Sequence, residues 1–63
     1  MTSSLAAQIA EVEREIAMRR RVYPGQVARG KMRQGEADVL ISRMEDVLVS
    51  LRKLQLADGD DTQ

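Results

Sequence analysis

Apolar residues recur through the first part of the chain at Leu5, Ile9, Val12 and Ile16, in alternating steps of four and three. Arg19 and Tyr23 continue the same line. This spacing keeps one side of an α-helix apolar and leaves the other to Glu11, Glu13, Arg14 and Glu15. Ala6, Ala10 and Ala17 lie beside the stripe, where small side chains admit a close second helix. Ser3 or Ser4 can cap the start, since a hydroxyl there satisfies a free amide of the first turn. The helix is predicted over about 4–22, because the residue before a proline is pushed out of the α region and Pro24 follows Tyr23.

A second stripe runs through Ala37, Leu40, Met44, Val47, Leu51 and Leu54, and Ile41 and Leu48 widen it to one side. Glu36 and Asp38 fall in its first turn and Arg52 and Lys53 near its last, each sign favouring the helix dipole. This helix is predicted over about 34–56, with a weak start, since Arg33 is a poor cap and Gly35 costs about 1 kcal/mol relative to alanine. The connector is predicted over 23–33. Within it Gly25–Arg29 can form one turn, with Pro24 at its first position and Gly30 as a left-handed stop. The tail over 57–63 has no apolar pattern and three aspartates, and is expected to be disordered.

Two such helices joined by a compact connector lie antiparallel, so the expected fold is an all-α helical hairpin spanning 1–56. The second helix is apolar over more than half its circumference, because Val39, Val49 and Leu56 fall off the main stripe, and one partner helix cannot cover it. Length makes the same point. A core in a 63-residue chain supplies no more than about 3–5 kcal/mol, and the absence of Cys and His removes disulfides and ordinary zinc sites as supports. Homodimerisation into a four-helix bundle is expected, with a core of Ile9, Val12, Ile16, Leu40, Ile41, Met44, Val47, Leu48 and Leu51.

The inventory of reactive groups is short: no Cys, His, Trp or Phe. Ser42 and Ser50 have only Arg43 and Asp46 for neighbours, so no nucleophile with a base can be assembled. Glu11 and Glu15 stand one turn apart and could share a proton or a metal, but carboxylate-bridged metal bundles add histidines that this chain lacks. Pairing of Glu15 with Arg19 on a solvated face is the simpler reading. No enzyme activity, cofactor or metal is expected. No run of about 18 apolar residues offers a membrane span, and Met1–Leu5 lacks the basic start of a secretory signal, so a cytoplasmic protein without a membrane partner is expected.

Ten basic and ten acidic residues cancel overall. Their distribution does not: residues 19–33 hold six basic residues and no acidic one, leaving a formal +6 there and −6 elsewhere. Tyr23, the single aromatic residue, lies inside this stretch, and Met18 and Met32 border the connector. Three readings fit. The arginines can be solvated while their stems cover the bundle end. They can flank a protein contact centred on Tyr23 and Pro24, with Arg19, Arg20, Arg29 and Lys31 around it, Tyr and Arg being enriched at interface hot spots. They can bind phosphate, although no second aromatic offers base stacking, and nucleic acid is the weaker partner on that ground.

The run Ile9-Ala10-Glu11-Val12-Glu13-Arg14-Glu15-Ile16-Ala17-Met18-Arg19-Arg20-Arg21-Val22-Tyr23-Pro24 resembles a family of small proteins encoded by temperate phages and prophages. Val27–Met32, Gly35–Asp38 and Ile41–Glu45 are similar to the same family, so the resemblance covers about residues 5–54. The family includes the quorum-sensing anti-activator protein of Pseudomonas phages. The resemblance implies a dimeric helical hairpin in the host cytoplasm that silences a host protein by occupying its surface. A quorum-sensing transcriptional activator or a pilus assembly ATPase is the kind of target it implies. The chain departs from the pattern after Tyr23-Pro24, where Gly25-Gln26 replaces a bulky Arg-Trp pair, and at Arg33, where relatives carry Thr. Loss of that Trp removes an anchor and leaves the target open. Two other classes compete: a nucleic-acid-associated or phosphate-mimicking regulator, and a structural piece of a phage particle.

Overall fold

Ser4 opens the first helix in extended backbone (φ −66°, ψ 158°), and its hydroxyl oxygen accepts the Ala7 amide at 3.1 Å. The computed structural model describes residues 3–57. Helix α1 spans Leu5–Ala28 and helix α2 spans Gln34–Ala57, and there is no strand among the described residues. The two helices pack side by side and antiparallel, in a rod of 45 × 20 × 17 Å.

Helix α1 does not end near residue 22. It continues through Pro24 to Ala28, so the connector is Arg29–Arg33 rather than 23–33. The rule that expected a stop is a bias on the backbone of Tyr23, not a prohibition. Proline removes one donor, the amide that would reach the Arg20 carbonyl, and the helical bonds resume beyond it with Arg29 N–H donating to Gly25 O at 3.0 Å. The turn expected over Gly25–Arg29 therefore forms as the last turn of α1, not as a separate one.

Gly30 then halts the helix in the left-handed region at φ 73°. Its amide donates to Val27 O at 3.0 Å and the Lys31 amide donates to Gln26 O at 2.9 Å. These two crossed bonds satisfy carbonyls that the helix end would otherwise leave open. Across the connector, the Ala37 amide donates to Arg33 O at 3.0 Å and closes the first turn of α2.

The buried apolar core is small: Ile9 and Ile16 from α1, 8% and 7% exposed, and Ala37 from α2, 2% exposed. Leu5, Val12 and Val27 on α1 and Leu40, Ile41, Met44, Leu48 and Leu51 on α2 are half-buried. Val47 and Leu54 stand exposed, at 42% and 52%, as do Met18, Val22, Val39, Val49 and Leu56. Val47, expected in a core, is thus open in the hairpin itself. Of the tail expected over 57–63, Ala57 belongs to α2 and 58–63 lie outside the described residues.

Candidate functional site

The two flanks of the hairpin differ. On the helical wheel Glu13 and Arg20 lie to one side of the Ile9–Ile16 line, and Arg52 and Glu45 lie to the same side of α2. They meet there: Arg52 donates to Glu13 and Arg20 donates to Glu45. All four side chains are well solvated, so each pair contributes no more than about 1 kcal/mol, and the pairs act mainly by setting how the helices face each other.

The opposite flank is crossed by no inter-helix ion pair among the described residues. From α2 it presents Leu40, Val47, Leu51 and Leu54, and from α1 mainly polar residues, Gln8, Glu15, Arg19 and Gln26. Arg19 is the exception to the solvated pattern. Its Nε donates to Glu15 at 2.8 Å, its Nη1 donates to the Leu40 carbonyl oxygen at 2.9 Å, and its side chain is only 22% exposed. A charged residue in line with the apolar stripe thereby finds partners on both helices, as a partly buried guanidinium must. Glu11 pairs instead with Arg14 at 3.3 Å, so the two carboxylates one turn apart hold separate arginines.

This geometry divides the residues assigned to partner binding. Arg19 is held inside the hairpin and Arg20 bridges to Glu45, so neither is a free contact. Tyr23 is half-buried on the α1 line that faces α2. Pro24, Arg29 and Lys31 are exposed at the connector end, and Arg21 and Arg33 join them as exposed cations. No ion pair engages Arg21, Arg29, Lys31 or Arg33 among the described residues. The Arg29 guanidinium folds back over its own helix, where a Cβ on Gly25 would lie 3.4 Å from its Nη2. A bulkier residue at position 25 would displace it.

Folding also dilutes the charge. The half of the hairpin at the connector, residues 19–45, holds seven basic and three acidic residues, because α2 brings Glu36, Asp38 and Glu45 alongside. Its formal charge is +4 rather than +6. No cluster of three or more metal-ligating side chains occurs among the described residues, and no helix there is long and apolar enough to cross a membrane. Of the two bordering methionines, Met18 is exposed and Met32 half-buried.

Sequence reasoning missed both the inter-helix ion pairs and the Arg19 bridge. A signal for the pairs was present: Glu13 and Arg20 are seven residues apart, as are Glu45 and Arg52, with the acidic residue first in both. In an antiparallel hairpin that places each charge opposite its complement. Comparison with family models, with curated proteins and with solved structures finds no match to this chain.

Proposed function

We propose that this chain is a non-enzymatic binding protein. Two hairpins associate into a four-helix bundle, and the cationic connector ends dock on a host protein and block its normal ligand. The supporting observation is the small core: three buried apolar residues in a two-helix rod, beside a row of large apolar side chains left open on α2. Small folds with cores of this size usually draw on a partner subunit or another added support. Arg21, Arg29, Lys31 and Arg33 around Pro24 and Tyr23 then supply the outward contact, and their charge speeds encounter with an acidic surface.

On the sequence resemblance, the protein is phage-encoded and its target is a bacterial regulator of the quorum-sensing activator class. Two measurements test the reading. Light scattering at micromolar concentration should give twice the 7.1 kDa chain mass, and a stably folded monomer would remove the bundle. Expression in the host should repress a quorum-sensing reporter, with repression lost in a Tyr23→Ala, Arg29→Glu, Lys31→Glu variant that remains helical. An unchanged reporter would remove that target class, and equal repression by the variant would remove the assigned surface.

A further inference from the structure

The side of α1 turned away from Ile9 and Ile16 takes no part in the contact with α2. Arg14, Met18, Arg21, Val22 and Gly25 share that side at helical spacing, and Arg29 continues it just past the helix end. Met18 and Val22, one turn apart, are 43% and 40% exposed, and the cations flank them. Arg14 is paired with Glu11 at 3.3 Å. No ion pair or side-chain hydrogen bond engages Arg21 or Arg29 among the described residues. From Ile16 to Gly35 the sequence has no acidic residue, so α1 holds no carboxylate beyond Glu15 to neutralise this ridge.

Gly25 determines where the Arg29 charge sits. A Cβ placed on Gly25 would lie 3.4, 3.5 and 3.7 Å from Nη2, Nη1 and Cζ of Arg29, so the guanidinium rests over bare backbone. Side chains on a helix lean towards its N-terminus, which directs the Arg29 head from the connector back to the ridge of Met18 and Val22. A guanidinium laid in place loses less freedom when a carboxylate arrives than one that sweeps through solvent. Alanine at position 25 is compatible with this placement, because 3.4 Å is an ordinary contact. Leucine is not, since its side chain would occupy the space the guanidinium holds.

We propose that this ridge docks an acidic amphipathic helix of a partner protein, its apolar side chains on Met18 and Val22 and its carboxylates on Arg21 and Arg29, with Gly25 presetting the second cation. This rests on the binding-protein reading above and extends its contact from the connector tip onto the outer face of α1. Charge complementarity selects the occupant. Arg21 and Arg29 are eight residues apart, about 12 Å along a helix, which glutamates at the same spacing on a second helix match. A nucleic-acid strand fits less well, because the ridge holds no aromatic side chain for stacking and the ten acidic residues balance the ten basic ones. The patch is small, so the contact belongs to the transient class, in which the cations set the rate of encounter.

Fluorescence anisotropy with the full chain and a labelled synthetic helical peptide tests the face. The peptide carries leucines one turn apart, flanked by glutamates eight residues apart, and the buffer holds about 0.15 M salt. Saturable binding is expected, with a peptide of the same layout carrying lysine for glutamate, and a short labelled oligothymidylate, each weaker by about tenfold or more. Arg29→Ala should weaken the glutamate peptide by about tenfold, and Gly25→Leu by about fivefold, whereas Gly25→Ala should bind as the parent does. Circular dichroism checks that each variant is helical, and Arg29→Ala decides the matter should Gly25→Leu not fold. No saturation, equal binding of the oligothymidylate, or parent-like affinity in both Arg29→Ala and Gly25→Leu overturns the proposal. The quorum-sensing reporter and the light-scattering mass judge the underlying reading separately. Repression retained in full by a Met18→Ser, Arg21→Glu, Val22→Ser variant overturns this face and leaves that reading intact. An unrepressed reporter with peptide binding intact supports the face and removes the target class.

Discussion

Gly30 and Gly35 are five residues apart, and the same substitution at each should move stability in opposite directions. At Gly30 the backbone sits at φ 73°, and a Cβ built there meets nothing within 4 Å. Crowding therefore contributes nothing, and the whole effect of Gly30→Ala is the strain of an L-residue in left-handed backbone, about 1–2 kcal/mol. Gly35 also has open space around its Cβ position, but its backbone is ordinary right-handed helix in the first turn of α2. Gly35→Ala should stabilise by about 0.5–1 kcal/mol, since alanine has less backbone freedom to lose on folding. The two variants should differ by about 2 kcal/mol. In a chain of this size that separates their melting midpoints by roughly 8–16 °C, using about 4–8 °C per kcal/mol. The assay is thermal and urea unfolding followed by far-ultraviolet circular dichroism, at one matched protein concentration because an associating protein melts higher when concentrated. Equal midpoints, or shifts of the same sign, would refute the assignment of Gly30 as the conformational stop of α1.

Three further outcomes follow from the same geometry. Ile16→Ala removes one of the three buried apolar side chains and should cost about 2–4 kcal/mol, read as a lower urea midpoint or loss of the helical signal at 25 °C. Arg19→Met keeps the stem but deletes the bonds to Glu15 and the Leu40 carbonyl; a loss of about 1–2 kcal/mol is expected, and a double-mutant cycle with Glu15→Gln should show coupling between the two sites. Pro24→Ala restores the missing amide opposite the Arg20 carbonyl and should stabilise α1 by about 1–3 kcal/mol, checked by a higher melting midpoint.

The two stripes, the Ser4 cap and the Gly30 stop were legible in the sequence because each is set by residues within one or two turns of one another. What lay beyond reach depends on distance or on competition. Pro24 reads as a helix breaker in isolation, yet the chain around it gains enough from continuing as helix to tolerate one lost bond. The bridge from Arg19 to the Leu40 carbonyl joins residues 21 positions apart and requires knowing how far each helix is rotated towards the other. For the same reason Arg19 and Arg20 read as free cations when Arg19 is part-buried against the Leu40 carbonyl and Arg20, although solvated, pairs with Glu45. Arg29 and Lys31, in the connector and just past the end of α1, kept the exposure expected of them because nothing packs over that turn.

With a core of three side chains, hydrophobic contact leaves the rotational setting of α1 against α2 loosely specified, since a one-residue slip turns a helix by about 100° and still offers apolar groups. The crossed pairs Glu13–Arg52 and Arg20–Glu45 act as alignment pins for that setting. Pins of this kind are sensitive to salt, because exposed charges are screened within about 3 Å at 1 M ionic strength. In concentrated salt the helices should persist while the angle at which they present their outer faces drifts. The outward-facing surface should therefore respond more to ionic strength than one set by a large apolar core.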